Sequence, residues 1–482
     1  EENKMLKMII NGEQVEASNG ATLDIYNPAT NELIDTVPDA TKEDVDRAIE
    51  VANAAQKEWA KLPGWKRAEL LGNVVAIART RVDELGTILC KETGKVIAEA
   101  KGEAAEFCDL LQEYIEAYKH LKGTLFENGI EKGMDGNLIM TTHMPIGVSA
   151  CIVPFNYPIL LYCHKISSTL LVGNTAIVKP SEFNPLALIK LTEIFKEAGV
   201  PDGVIQIVTG KGAPIGEWLT QSKGIHMINF TGSTATGTKV YESGAKHLAH
   251  VALEMGGNDA FIVCKDADID LAVEEVVAGR ITTSGQICIG SKRILVQNDI
   301  KDEFTKKLVD RFSVLKQGDP IDPSNDIGCL INEAAAEKVQ GQIDLTVKQG
   351  AKIAIGGTHN GAYYAPTILT DVTRDMDIAK DVEVFGPVAP IIGFDTVDEA
   401  IDIANQSMYG LGGAVFSQDI KTALKVANEV ITGSVNINAS TLCRSHEMPF
   451  GGAKSSGKGR EGISSSFEEV TQKKVILLRN VL

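Results

Sequence analysis

The sequence predicts an α/β molecule whose main sheets are mostly parallel and carry helices on both faces. Two observations predict it. From Gly147 onward, short β-rich runs alternate with helical stretches, and a second alternating series begins after Asn258. Parallel neighbours need long crossover connections, which helices of this length supply. The chain also has 482 residues, room for two or three domains at roughly 100–200 residues each, and its 44% apolar and 23% charged residues are those of a globular protein, which excludes disorder and fibrous repeats.

Taken in order, the N-terminal third reads as helices after a short stranded start. Val45, Ile49, Ala52, Ala55 and Trp59 fall near a 3.6-residue period behind Thr41, with Asp44 placed for a capping box, so a helix is expected over Thr41 to Trp59. Two further amphipathic stretches follow, Arg67 to Leu85 and Glu103 to Leu121. The first alternating series contributes strands at GVSACIVP, TAIVK, VIQIV, IHMINF and HVALEM. The second contributes strands at Ala260 to Cys264, Arg293 to Val296, Ala389 to Phe394 and Gly412 to Phe416, with helices at Ile300 to Leu315 and Val397 to Asn405. Gly451 to Gly462 reads as a loop, and the closing KKVILLRNVL as a solitary apolar strand that needs something to pair with.

Charge and cysteine usage narrow the function. With 47 Lys and Arg against 64 Asp and Glu, the formal charge is −17, so neither nucleic acid nor an anionic membrane is expected as a partner. No apolar run approaches the ~18 residues that span a bilayer, and EENKMLKMIINGEQ has no signal-peptide core, so a cytoplasmic location is expected. Eight cysteines without a CxxC pair fit a reducing compartment and buried small hydrophobes. The CxxH of Cys443 and His446, like the HxxH of His247 and His250, lacks the further ligands a metal site needs, so none is expected.

Two glycine motifs are misleading. Gly457, Gly459 and Gly462 spell GxGxxG, yet too little chain follows for a βαβ unit. GSTATGTK, beginning at Gly232, places Thr-Lys where a phosphate-binding loop requires Lys followed by Ser or Thr.

Three segments carry chemistry. Ser284-Gly285-Gln286-Ile287-Cys288 sets a thiol after a small turn, where backbone N–H groups can favour the thiolate. Leu253-Glu254-Met255-Gly256-Gly257 ends a β-like run with a carboxylate, a candidate general base. Pro154-Phe155-Asn156-Tyr157-Pro158 fixes an amide in a turn, where it can donate to a developing oxyanion.

With KPSE at 179–182, FTGS at 230–233, EVFGPV at 383–388 and PFGGAKSSGKGREG at 449–462, these segments stand in the order found in the aldehyde dehydrogenase superfamily, which the chain resembles over nearly its whole length. The resemblance implies a Rossmann-like dinucleotide-binding domain (1–122 and 146–256), a second α/β catalytic domain (257–455) and a small β oligomerisation element (123–145 and 456–482). It makes Cys288 the nucleophile, Asn156 with the Cys288 N–H the oxyanion hole, Glu254 the base that hydrolyses a thioester, and Lys165 a proton-relay partner of Glu254. Lys179, Ser181 and Glu182 would hold the adenosine ribose of NAD, with NADP possible. Gly232 and Ser233 would open a helix toward the pyrophosphate, and Glu383 and Phe385 would hold the nicotinamide end.

Phe155 and Asn258 depart from residues common in the family. Ile287 stands where members that handle phosphate often carry Arg, while Arg444 could meet a carboxylate and Asn438 matches an active-site Asn. The resemblance thus implies NAD-linked oxidation of a small aliphatic aldehyde such as lactaldehyde or succinic semialdehyde, by a homodimer or homotetramer. The rivals are a CoA-acylating enzyme, which Glu254 opposes, and a non-catalytic structural member of the same fold.

Overall fold

Residues 5–482 are described by the computed structural model. Two large sheets organise them. The first has eight strands, ordered Glu13–Val15, Met8–Ile10, Ile205–Ile207, Thr175–Lys179, Val148–Ile152, Met227–Thr231, His250–Glu254 and Gly457–Lys458. The five from Ile205–Ile207 to His250–Glu254 are parallel, Met8–Ile10 and Gly457–Lys458 run antiparallel to them, and Glu13–Val15 runs antiparallel to Met8–Ile10. The second has seven, ordered Lys352–Ile355, Thr367–Val372, Val388–Phe394, Arg293–Gln297, Ala260–Val263, Gly412–Phe416 and Ser434–Ile437, parallel except for the first.

The central strands are buried along their length, so they read as apolar runs without alternation. Each sheet has apolar packing on both faces, the arrangement that the alternating sequence requires. Helix Lys42–Lys61 begins behind the Thr41–Asp44 capping box and packs Val45, Ile49 and Ala52 on the first sheet. Helix Pro158–Leu171 starts on a proline and is buried on nearly every side, which explains why its apolar run contains His164 and Lys165 and yet stays inside the protein.

Three expectations need correction. The stretch Arg67 to Leu85 is two helices, Gly64–Arg79 and Val82–Thr93, because the chain breaks at Thr80 and Arg81. The third amphipathic stretch starts earlier than expected, as Ile97–Tyr118. The terminal strand is not solitary: Thr471–Leu478 pairs antiparallel with Leu138–Pro145 of the same chain, in a sheet completed by Leu125–Phe126.

The segment 456–470, expected in that small sheet's element, joins the first sheet instead. Gly457–Lys458 extends the sheet's edge, and Ile463, Phe467 and Val470 enter its core. The GxGxxG glycines therefore serve a close approach of chain to chain. Gly457 has φ 151° and lies against the Leu253 carbonyl, where a side chain has no room.

Candidate active site

The chemistry-bearing residues lie where segments attached to the two sheets meet, as Asn156 bonds to the Gln286 carbonyl and Gly257 N to Glu383. Cys288 follows the turn Thr282–Gly285, in which Thr283, Ser284 and Gly285 have φ of 48°, 54° and 74°. Left-handed backbone at two consecutive residues other than glycine costs about 1–3 kcal/mol each, so the surroundings must hold it. They do so at several points. The Glu99 carboxylate accepts from Thr283 N at 3.0 Å, Asn156 Nδ2 donates to the Gln286 carbonyl at 3.0 Å, and the Gln286 side chain accepts from Ile331 N at 3.0 Å. Asn156 is thus fixed two residues from the thiol, with its second amide hydrogen left to donate.

Cys288 is half-buried, and burial pushes its thiol up to about 12, with Lys292 the main opposing influence. Desolvation thus outweighs the charge of the lysine.

Glu254 ends its strand buried, with one carboxylate oxygen lacking any partner. Burial and the charge of Glu461 hold its carboxyl well above the usual range. Lys165 lies beside this group without bonding to it. Its Nζ donates to Asn229 Oδ1 at 2.8 Å, to Thr231 Oγ1 at 2.7 Å and to Glu461 Oε1 at 3.2 Å. Burial works against the charge on Glu461, and Lys165, His164 and Arg444 overcome it, so Glu461 is held below its ordinary value. The sequence reading missed Glu461, although it sits inside the GREG segment that had already been singled out.

The residues expected at the cofactor lie in three groups, each with its own local partners. Lys179 is buried, donates to the Pro180 carbonyl at 2.6 Å, and is lowered to about 8 by burial. Ser181 accepts from Phe183 N at 3.2 Å, and Glu182 accepts from Gly212 N at the start of helix Gly212–Gln221. Ser233 caps helix Thr234–Ala245 through Thr236 N at 3.3 Å, and Gly232 lies where a Cβ would strike the Phe230 ring. A helix N-terminus beside a position that admits no side chain, with a lysine and a carboxylate further along, suits the pyrophosphate and ribose of a dinucleotide. Glu383 Oε1 accepts from Gly257 N at 3.1 Å and from Lys292, and Phe385 packs edge-on to Phe155 with ring centroids 6.0 Å apart.

The wall beside the thiol is apolar. Ile287, Ile289 and Leu411 form a cluster with Tyr157, Leu442 and Phe450 around Cys288. Arg444 stacks over Phe450 at 4.2 Å, and its Nη2 is buried with no partner. A guanidinium nitrogen in that state is available to an anionic group on a ligand. Asn438 is not brought to the site. Its amide donates to the Ser417 carbonyl at 3.1 Å and accepts from Ser417 N at 3.0 Å, because the residue turns the chain at φ 53° after its strand. Among the described residues there is no group of three or more potential metal ligands, and no helix is long and apolar enough to cross a membrane.

The chain resembles known proteins over nearly its whole length. Residues 15–476 match the model of the aldehyde dehydrogenase family. The chain is 37% identical over 475 residues to the 3-sulfolactaldehyde dehydrogenase of Priestia aryabhattai, covering 98% of each chain. It is 35% identical over 478 residues to the lactaldehyde dehydrogenase of Escherichia coli, again covering 98% of each. Its fold superposes on a solved NAD-dependent aldehyde dehydrogenase from Sinorhizobium meliloti with a TM-score of 0.96, at 35% identity and covering 99% of this chain and 95% of that one.

Proposed function

The chain belongs to the aldehyde dehydrogenase family, and from that premise we propose that it oxidises a short aliphatic aldehyde to its carboxylic acid by covalent catalysis on Cys288. The carrying observation is the convergence at one turn of a thiol, an amide pinned beside it and a buried carboxyl. The thiolate adds to the aldehyde carbon. The resulting oxyanion is received by the free hydrogen of Asn156 and the Cys288 N–H. NAD, held by Lys179, Glu182, Gly232, Ser233, Glu383 and Phe385, would supply a hydride acceptor. What remains on Cys288 is a thioester, which water activated by Glu254 cleaves. Lys165 and Glu461 offer the proton a route away from Glu254. A carboxyl held above its usual range is a stronger base than an ordinary one, which suits Glu254 to this work and stands against release of the acyl group to CoA.

The substrate reading rests on the wall. Ile287 offers no hydrogen bond to a phosphate, whereas Arg444 keeps one nitrogen unpartnered at the apolar end. Short aldehydes with a hydroxyl or a carboxylate, such as lactaldehyde or succinic semialdehyde, fit these surroundings. The sulfonate-bearing substrate in the name of one relative is of the same anionic class. The experiment is a panel of aldehydes with NAD, followed by absorbance of the reduced cofactor. The kcat/KM should favour unphosphorylated short aldehydes over glyceraldehyde 3-phosphate, and Arg444→Ala should raise KM for succinic semialdehyde more than for propanal. Equal effects on the two aldehydes would remove Arg444 from the substrate site.

The same reading makes the protein a cytoplasmic homodimer or homotetramer, supported by its eight free cysteines and an open sheet edge. It divides the chain into a cofactor domain around the first sheet, a catalytic domain around the second and an assembly element at 123–145 and 471–482.

A further inference from the structure

Lys292, four residues beyond Cys288, is buried at 3% exposure and has no part in the chemistry above. Its Nζ donates to the Cys288 carbonyl at 2.7 Å, to the Gly257 carbonyl at 2.7 Å and to Glu383 Oε1. An ammonium has three hydrogens to give, and all three are placed. The cation also stands 5.4 Å from the centre of the Phe385 ring. Its acceptors come from three separate segments: the nucleophile turn, the glycine pair after Glu254, and the loop that carries Glu383 and Phe385. Arg280, fully buried, ties down the same loop through the Gly386 carbonyl.

We propose that Lys292 is a positioning residue that joins the nucleophile turn to the carboxylate and ring assigned to the nicotinamide end, so that seating of the cofactor and placement of the thiol are one adjustment. The proposal rests on the reading of Cys288 as nucleophile and of Glu383 and Phe385 as cofactor residues. A flexible surface lysine would serve neither purpose. Here the ammonium is buried, held between a carboxylate and the nucleophile's own carbonyl, and it is the main influence drawing the Cys288 thiol back toward ionisation.

The test is the pH profile of Cys288 alkylation by iodoacetamide in the full-length enzyme, read by peptide mass spectrometry, together with KM for NAD. Lys292→Met should slow alkylation at neutral pH by about tenfold, the thiolate lost when a thiol rises by about one pH unit, and should raise KM for NAD. Lys292→Arg, which keeps the charge, should restore most of the alkylation rate. If either quantity in Lys292→Met equals that of the unaltered enzyme, the coupling is overturned. Should Lys292→Met fail to fold, Glu383→Gln reads the same link from its other end. Alkylation of Cys288 must then quicken, although Glu383 lies outside the nucleophile turn, and an unmoved profile overturns the proposal. Failure of the underlying reading looks different: Cys288→Ala would keep aldehyde oxidation, whatever the alkylation profiles show.

Discussion

A carboxyl that burial holds above its usual range is a stronger base once it ionises, and Glu254 stands in such a site beside a thiol that burial also raises. Both groups act only when deprotonated, so kcat/KM should climb as pH rises through the neutral range, without a plateau at ordinary carboxylate or thiol values. Glu254→Gln removes the base for water but leaves the thiol able to add to the aldehyde. A burst of reduced cofactor should therefore be followed by acylated Cys288, visible by rapid-quench mass spectrometry. Absence of the acyl adduct would assign hydrolysis to another group. At the adenosine end, the Glu182 carboxylate accepts from Gly212 N, and its charge would repel a phosphate on the ribose. The kcat/KM should be higher with NAD than with NADP, and Glu182→Ser should narrow the gap. These residues were legible because each lies in a short motif with a chemical reason for its spacing. Lys292 and Glu461 were not. One looks like the start of a strand and the other like a loop carboxylate until the fold closes them onto Cys288 and Lys165.

Between elements, the loop that carries Arg444 is fastened to helix Ile97–Tyr118 by His446, whose ring nitrogens meet Glu113 at 2.8 Å and Glu106 at 2.9 Å. The bond to Glu106, helped by Glu113, raises the histidine above its ordinary 6.5. A histidine raised on folding contributes stability that is full below about pH 6.5 and fades as pH rises through its higher folded value. Urea midpoints of the unaltered protein and of His446→Gln should differ most in mild acid and converge at alkaline pH. A constant gap would show that the ring acts by packing rather than by charge. Strands such as Ala260–Val263 were legible as apolar runs, and helix Lys42–Lys61 by period and cap. The antiparallel edge strand Lys352–Ile355 and the two-residue strands at 453–454 and 457–458 were not, since short or half-exposed pairing is decided by neighbours from distant sequence.

At the scale of the molecule, the small sheet is the part that the rest leaves unfinished. Thr471–Leu478 lies at its edge, with Val475 62% and Leu477 48% exposed, and Leu125 across the sheet is 66% exposed. An open strand bearing apolar side chains invites pairing with another chain, and the sequence alone showed that something had to cover this segment. The pairing within the chain satisfies one side of the strand only. Its other row of N–H and C=O groups is turned outward, so a second subunit is the occupant that removes the liability without any further segment. Sedimentation at micromolar concentration should therefore find a dimer or tetramer. Deleting Lys474 to Leu482 should lower the assembly state and the melting temperature together, because the deletion also uncovers Leu138–Pro145. A monomer before the deletion, or unchanged stability after it, would leave the exposed edge without a function in assembly.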